Sequence, residues 1–272
     1  FANAGYYLKQ PFFSAVYPSY NTNDVNDGLT NEKVLGIEFG YGLRVENYRA
    51  NLNLYRTSWK DRFKRQSLTG QDGFIDFAGI EQVHIGVELE SSFKFNKFQI
   101  DVMGSLGNWE YVGDVTGTEY DEFNQVIGES DEVFYLDGVK VGDAAQFTAR
   151  FGVTYKILDN LKVNLDYFFA DKIYAQIDAE SFSNPDHLGS LQLPSYNLLD
   201  AGVSYKLNLK NAGILNFRFN VNNLLDTLYM SESQTNYHAG EGSDTYEGID
   251  TSNRVYWGFG RQVNFSVRYN FK

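Results

Sequence analysis

The chain has 272 residues, 17% of them aromatic, a formal net charge of −12 and no cysteine. The missing cysteines rule out disulfides and thiolate metal sites, and the acidic balance argues against a basic nucleic-acid-binding surface. No apolar run reaches the roughly 18 residues of a membrane-crossing helix, which leaves a β-barrel open, since its inward-facing half dilutes the mean hydropathy.

Residues 1–32 read as a loop, because Pro11, Pro18, Gly28 and the run Asn21, Asn23, Asp24, Asn26 and Asp27 break any period. Alternation then begins. Ile37, Phe39, Tyr41, Leu43 and Val45 are apolar while Glu38, Gly40, Gly42 and Arg44 are not; after a turn at Glu46 and Asn47 the same pattern returns as Tyr48, Ala50, Leu52 and Leu54 against Arg49, Asn51 and Asn53. Side chains of a strand alternate between faces, so each segment predicts a strand with one apolar and one polar side. Residues 61–76 read as a polar, irregular connection.

The scheme repeats three times. Val83, Ile85, Val87 and Leu89 turn at 94–97 into Phe98, Ile100, Val102 and Leu106; Phe147, Ala149, Phe151 and Val153 turn at Asp159 and Asn160 into Leu161, Val163, Leu165 and Tyr167; Ala201, Val203, Tyr205 and Leu207 turn near Lys210 into Leu215, Phe217, Phe219 and Val221. Between the hairpins lie long connections: an acidic one from Glu110 to Asp143, one at 171–195 and one at 231–252. A last strand, Asn253 to Phe271, carries Val255, Trp257, Phe259, Val263, Phe265, Val267, Tyr269 and Phe271 on one face, with Arg261 breaking the register. Short turns on one side and long loops on the other are the asymmetry of outer-membrane barrels, with short turns periplasmic, long loops extracellular and aromatic girdles at both interfaces. A soluble sandwich is the alternative, but it rarely offers such uniform hairpins. The expectation is an all-β, antiparallel transmembrane barrel of which nine strands are present. First and last strand would then run the same way, so the chain reads as the C-terminal segment of one barrel domain whose N-terminal strands lie outside it.

Polar-face positions collect charges of both signs: Glu38, Arg44, Glu88, Glu90, Asp101, Arg150, Asp166, Asp200, Arg218 and Arg268. Mixed signs favour a seat for a plug over a selectivity ring, while pairing between neighbouring strands accounts for them as simply. Loop aromatics Trp109, Tyr111, Tyr120, Tyr174, Tyr237 and Tyr246 are candidates for extracellular ligand or partner contacts, or for packing between loops. No catalytic constellation, metal site or cofactor motif is found. His84 sits on a polar strand face near Glu88, where a structural hydrogen bond is the simpler role, and His187 and His238 lie in separate loops. The acidic connection matches no calcium-loop spacing and reads as a solvated segment.

Three stretches carry a resemblance: Leu29 to Lys33 leading into Gly36–Tyr41, His84 to Glu90, and Phe219 to Asp226 followed by Tyr229. They resemble TonB-dependent outer-membrane receptors, more narrowly the SusC-like nutrient importers, and the ending Arg268-Tyr269-Asn270-Phe271 is similar to a terminal assembly signal carried by Tyr269 and Phe271, although Lys272 follows the aromatic. The resemblance implies a larger, 22-stranded barrel, an N-terminal plug that meets the inward charges, and energised import of a scarce nutrient (glycan, peptide or metal chelate). Its implied partners are the TonB complex through the plug, a surface lipoprotein lid, and the lipid and lipopolysaccharide of the outer membrane. A passive channel is the alternative.

Overall fold

The computed structural model describes residues 1–17, 25–26, 28–67, 73–123, 125–178, 180–210 and 212–271, without the side chains of 128–132. Pro18, Asn21, Asn23, Asp24, Asp27 and Lys272 therefore lie outside the described residues. The strands are β1 (Ala2–Lys9), β2 (Glu32–Val45), β3 (Tyr48–Ser67), β4 (Gly73–Phe95), β5 (Phe98–Val112), β6 (Val115–Asp121), β7 (Val126–Phe134), β8 (Ala145–Leu158), β9 (Leu161–Tyr174), β10 (Gln192–Leu193), β11 (Tyr196–Asn208), β12 (Gly213–Asn222), β13 (Met230–Ser233), β14 (Thr245–Tyr246), β15 (Ile249–Asp250), β16 (Val255–Trp257) and β17 (Gln262–Phe271), with one helical turn, α1 (Phe13–Val16).

One curved sheet runs β1-β2-β3-β4-β5-β8-β9-β11-β12-β17, every neighbour antiparallel. Its registers place the alternating apolar residues in rows: Tyr41 faces Leu52, Leu52 faces Leu89, Phe151 faces Tyr167, Val203 faces Phe219 and Phe219 faces Phe265. These side chains are exposed, Tyr41 at 65% and Phe265 at 66%. A soluble protein does not display such a band, whereas a barrel wall facing lipid does. The buried clusters instead lie toward the long loops: Ile75, Phe77, Ile80, Tyr111, Phe134, Leu136, Val139, Ile177 and Phe182 in one, and Ala170, Ile173, Ala175, Leu191, Leu193, Met230 and Ile249 in the other. Lipid takes the place of a core along the membrane band, and the loops must build their own.

The structure departs from the sequence reading in four places. Residues 1–32 contain β1, paired with β2 from Ala2 opposite Phe39 to Lys9 opposite Glu32, so the path has ten strands and its first and last run in opposite directions. Residues 61–67 and 73–76 are not irregular: β3 and β4 continue past two register shifts around Arg62, with Asp61 in the left-handed region. The 110–143 connection contains the hairpin β6–β7, which pairs with the β4 extension. The last strand is interrupted, for β16 pairs with β13 while β17 pairs with β12. Arg261 causes the break: its N–H donates to Asp226 Oδ1 (2.8 Å) and its Nε to the Leu224 carbonyl (3.1 Å).

Candidate functional site

The ten charged positions share the inner face, opposite the apolar band. Arg44 stands opposite Arg49, Glu90 opposite Asn51 and Met103, Asp101 opposite Ser92, and Asp166 opposite both Gly152 and Asp200. Glu38 is opposite Tyr55, Glu88 opposite Ser105, Arg218 opposite Ser266 and Arg268 opposite Asn216. Some are satisfied within the wall. Arg150 Nη2 donates to Asp166 Oδ1 (2.5 Å), Gln99 Nε2 to both Asp101 oxygens (3.1 and 2.9 Å), Arg218 Nε to Asn220 Oδ1 (3.1 Å), and Asp200 Oδ1 accepts the Asn223 N–H (2.8 Å).

Toward the short turns the inner wall forms an open groove of 710 Å³ lined by Arg44, Arg49, Asn51, Glu90, Asp101 and Arg150, among others. Two guanidinium groups on directly opposed residues repel. Neither Arg44 nor Arg49 has an ion-pair partner among the described residues, and the buried Ser92 Oγ on the same wall has no hydrogen-bond partner. The Arg44 and Arg49 cations and the Glu90 and Asp101 carboxylates thus face one open groove.

Toward the long loops a second cavity, of 360 Å³, is lined by Trp59, Arg62, Lys64, Gln82, His84, Tyr111, Asp143, Gln176 and Ile177 among others. The register shifts around Arg62 turn both cations into it. Arg62 lies over the Trp59 ring at 4.3 Å, and its buried Nε has no hydrogen-bond partner among the described residues. Lys64 stands on the part of β3 beyond the apolar band and donates from Nζ to the Ile177 carbonyl (2.7 Å). Burial lowers its pKa, against the pull of Asp178 and Asp143, while burial raises that of the Asp143 carboxyl. The floor is stiffened by aromatics: His84 stacks on Trp109 at 5.2 Å, Trp109 Nε1 donates to Tyr55 Oη (3.0 Å), and Trp59 Nε1 donates to the buried Glu32 (2.7 Å).

Of the loop aromatics singled out above, Tyr111 lines this cavity and Trp109 supports it through His84. Tyr120 is 7% exposed and stacks on Phe74. Tyr174 ends β9 opposite Gln192, Tyr237 donates from Oη to Glu180 (3.3 Å), and Tyr246 packs edge-on against Trp257. The last three are not gathered into the cavity. Arg62 and Lys64 escaped the sequence reading because strand alternation is lost at the bulges; the run Lys60-Asp61-Arg62-Phe63-Lys64-Arg65 was the available signal. His84 makes a structural contact, Nε2 lying 3.3 Å from Gln82 Oε1. At the chain's end Tyr269 donates from Oη to the Ala212 carbonyl (2.5 Å) and packs on Phe271 at 4.4 Å.

Among solved structures the chain is similar to the copper transporter OprC (15% identity, TM-score 0.65, 99% of this chain and 37% of that one). It is also similar to the ferric yersiniabactin uptake receptor FyuA from Yersinia pestis (18%, 0.62, 100% and 34%) and to the ferric-catecholate import receptor Fiu from E. coli K12 (15%, 0.60, 98% and 32%). These likenesses show a shared fold, and the chain spans about a third of each relative's length. No curated protein matches it by sequence. The family profile described as TonB dependent receptor-like, beta-barrel matches residues 1–224, and with the inside-out antiparallel wall this places the chain in that family: it is part of a TonB-dependent receptor β-barrel.

Proposed function

We propose that the chain is the C-terminal wall of an outer-membrane importer whose plug seats in the 710 Å³ groove and which, energised through TonB, admits a scarce nutrient. The observation that carries this is the inner wall itself, where Arg44, Arg49 and Ser92 Oγ line the groove without an ion-pair or hydrogen-bond partner among the described residues. A plug supplying carboxylates and backbone carbonyls satisfies them; a water-filled channel needs no such complement. The short turns face the periplasm and the long loops the exterior. Photo-crosslinkers at Asn51 or Ser92 of the full-length protein test the reading: adducts to an N-terminal domain are expected, whereas free labelling of both positions by water-soluble reagents in resting cells makes the protein a passive channel.

The nutrient enters through the 360 Å³ cavity. Its Arg62 Nε without a hydrogen-bond partner among the described residues, half-buried Lys64 and aromatic floor favour an anionic solute, a metal chelate or acidic peptide, over a neutral glycan. Relatives named for copper and for ferric siderophores support the chelate. The His84–Glu90 and Phe219–Asp226 motifs support the finer SusC-like branch and its lipoprotein lid, for which co-purification of a lipid-anchored partner with the full-length receptor is the test.

A further inference from the structure

On the outer face one cation stands where the wall is otherwise apolar. Arg56 lies between Ile37 on β2 and Ile85 on β4, which are 49% and 47% exposed, and Leu54 precedes it on the same face. Arg56 is itself exposed and has no ion-pair or hydrogen-bond partner among the described residues. At about 3.3 Å per residue and a tilt of about 40°, it sits roughly 20 Å above Tyr48, near the top of a band about 25 Å tall. Its chain reaches upward, since long basic side chains carry their charge to the interface.

Directly above come Leu35, Ser58 and Val83, then Lys33 opposite Lys60. The two lysines repel and each holds one carboxylate, Lys33 to Asp61 at 2.6 Å and Lys60 to Glu81 at 2.9 Å. Their side chains are still 43% and 54% exposed, and an ammonium bonded to one oxygen keeps further donors. Arg56, Lys60 and Lys33 thus form a basic ladder on the lipid-facing wall, climbing from the apolar band to its rim.

We infer that this ladder binds the phosphorylated headgroup of an outer-leaflet lipid, with Arg56 gripping the phosphate and Ile37, Ile85 and Leu54 receiving the acyl chains. The guanidinium fork matches phosphate oxygens, and Lys60 and Lys33 add point charges on the headgroup side. A free anion has no reason to enter the apolar band, and a protein partner would need a continuous polar footprint there; a lipid carries the anion and the hydrocarbon together. The inference rests on the orientation proposed above, but its readout is lipid retention, which is independent of nutrient uptake.

The test is native mass spectrometry of the full-length receptor in detergent, with lipid A carrying its phosphates competing against the same lipid after phosphatase treatment. The phosphorylated form should be retained about tenfold better, the fold-change that one charge-assisted contact supplies. Arg56→Gln should abolish that preference and Arg56→Lys should keep part of it, while Lys97→Gln, at the opposite rim, should leave it intact. Equal retention of both lipids by the native protein overturns the inference and needs no variant to fold. So does an unchanged preference in Arg56→Gln, or displacement of the phosphorylated lipid by millimolar inorganic phosphate, which would mark a free-anion site.

Discussion

Arg65 and Asp76 grip each other fork to fork across the β3–β4 extension, Nε to Oδ1 and Nη2 to Oδ2, both at 2.6 Å. Asp76 is buried, Asn26 Nδ2 adds a bond to its Oδ2 (3.4 Å), and the Arg65 guanidinium lies 4.0 Å from the Phe74 ring centroid. Breaking a buried pair from one side strands a charge. Asp76→Ala should therefore destabilise the extension by about 3–5 kcal/mol, and the paired change Arg65→Met with Asp76→Leu should cost less than either single change. Hydrogen exchange of 62–67 and 73–77 reads this directly; a double variant worse than both singles would show that the pair stabilises the extension beyond removing its own buried charges.

The two faces of the wall should respond oppositely to the same charge. Arg in place of the outward Leu52 or Val87 should cost about 2–4 kcal/mol near the bilayer midplane, whereas Arg at inward Asn51, which lines the groove, should cost much less. Gly86 also faces inward but is not a neutral control: a Cβ there would run into the Tyr55 ring that lies across it, so Gly86→Arg should dislodge the Tyr55–Trp109 pair. Urea titration of folding into vesicles measures all four, and equal costs at Leu52 and Asn51 would contradict the assignment of faces.

Lys64 makes the upper cavity pH-sensitive. Burial lowers its pKa below the ordinary 10.5. As pH rises through that lowered value the cavity loses a positive charge, so affinity for an anionic solute should fall in alkaline buffer at a pH where an exposed lysine stays charged. Lys64→Arg should flatten the profile. The stability sign follows from linkage: the folded state holds this proton less tightly than the unfolded chain, so the contribution is fully present above 10.5 and is lost as pH falls through the folded value. Equilibrium binding across alkaline pH, with exchange of the Ile177 segment alongside, checks both halves.

Alternation made most of the wall legible, because period two needs only that one face meet lipid and the other not. The turns at Glu46, Asn96 and Asp159 were readable for the same reason, with Asn96 taking the left-handed conformation that a tight turn requires. The hidden parts are those where that contrast disappears. Residues 61–67 are polar apart from Phe63 and form strand because Arg65–Asp76 and the β6 pairing support them from a distance in sequence. Segment Ala2–Lys9 shows no clean alternation and becomes a strand by lying along β2. Trp257 and Phe259 kept the odd register of the last strand, yet the hydrogen bonds of Arg261 to Asp226 and Leu224 interrupt it.

The Asn223–Asp226 motif, part of the sequence resemblance, is a knot of backbone bonds. Asn223 is 4% exposed in the left-handed conformation. Its Nδ2 donates to the carbonyls of Thr227 (2.9 Å) and Phe259 (3.2 Å), and its Oδ1 accepts the Thr227 N–H (2.8 Å). One side chain thereby closes the turn after β12 and ties it to the crossing that leads into β17. Each bond is worth about 1 kcal/mol, and an orphaned buried group costs somewhat more, so Asn223→Ala should lose about 2–4 kcal/mol. Asn223→Gly removes the same bonds but tolerates the backbone, so the difference between the two variants isolates the strain of a left-handed alanine. Since β17 pairs only with β12 among the described residues, the loss should appear as slower barrel assembly and faster exchange at Gln262–Asn264, next to the knot, with Tyr269 and Phe271 at the far end of the strand unaffected. Uniform loosening along β17 would mean that the motif holds the whole strand and not its start.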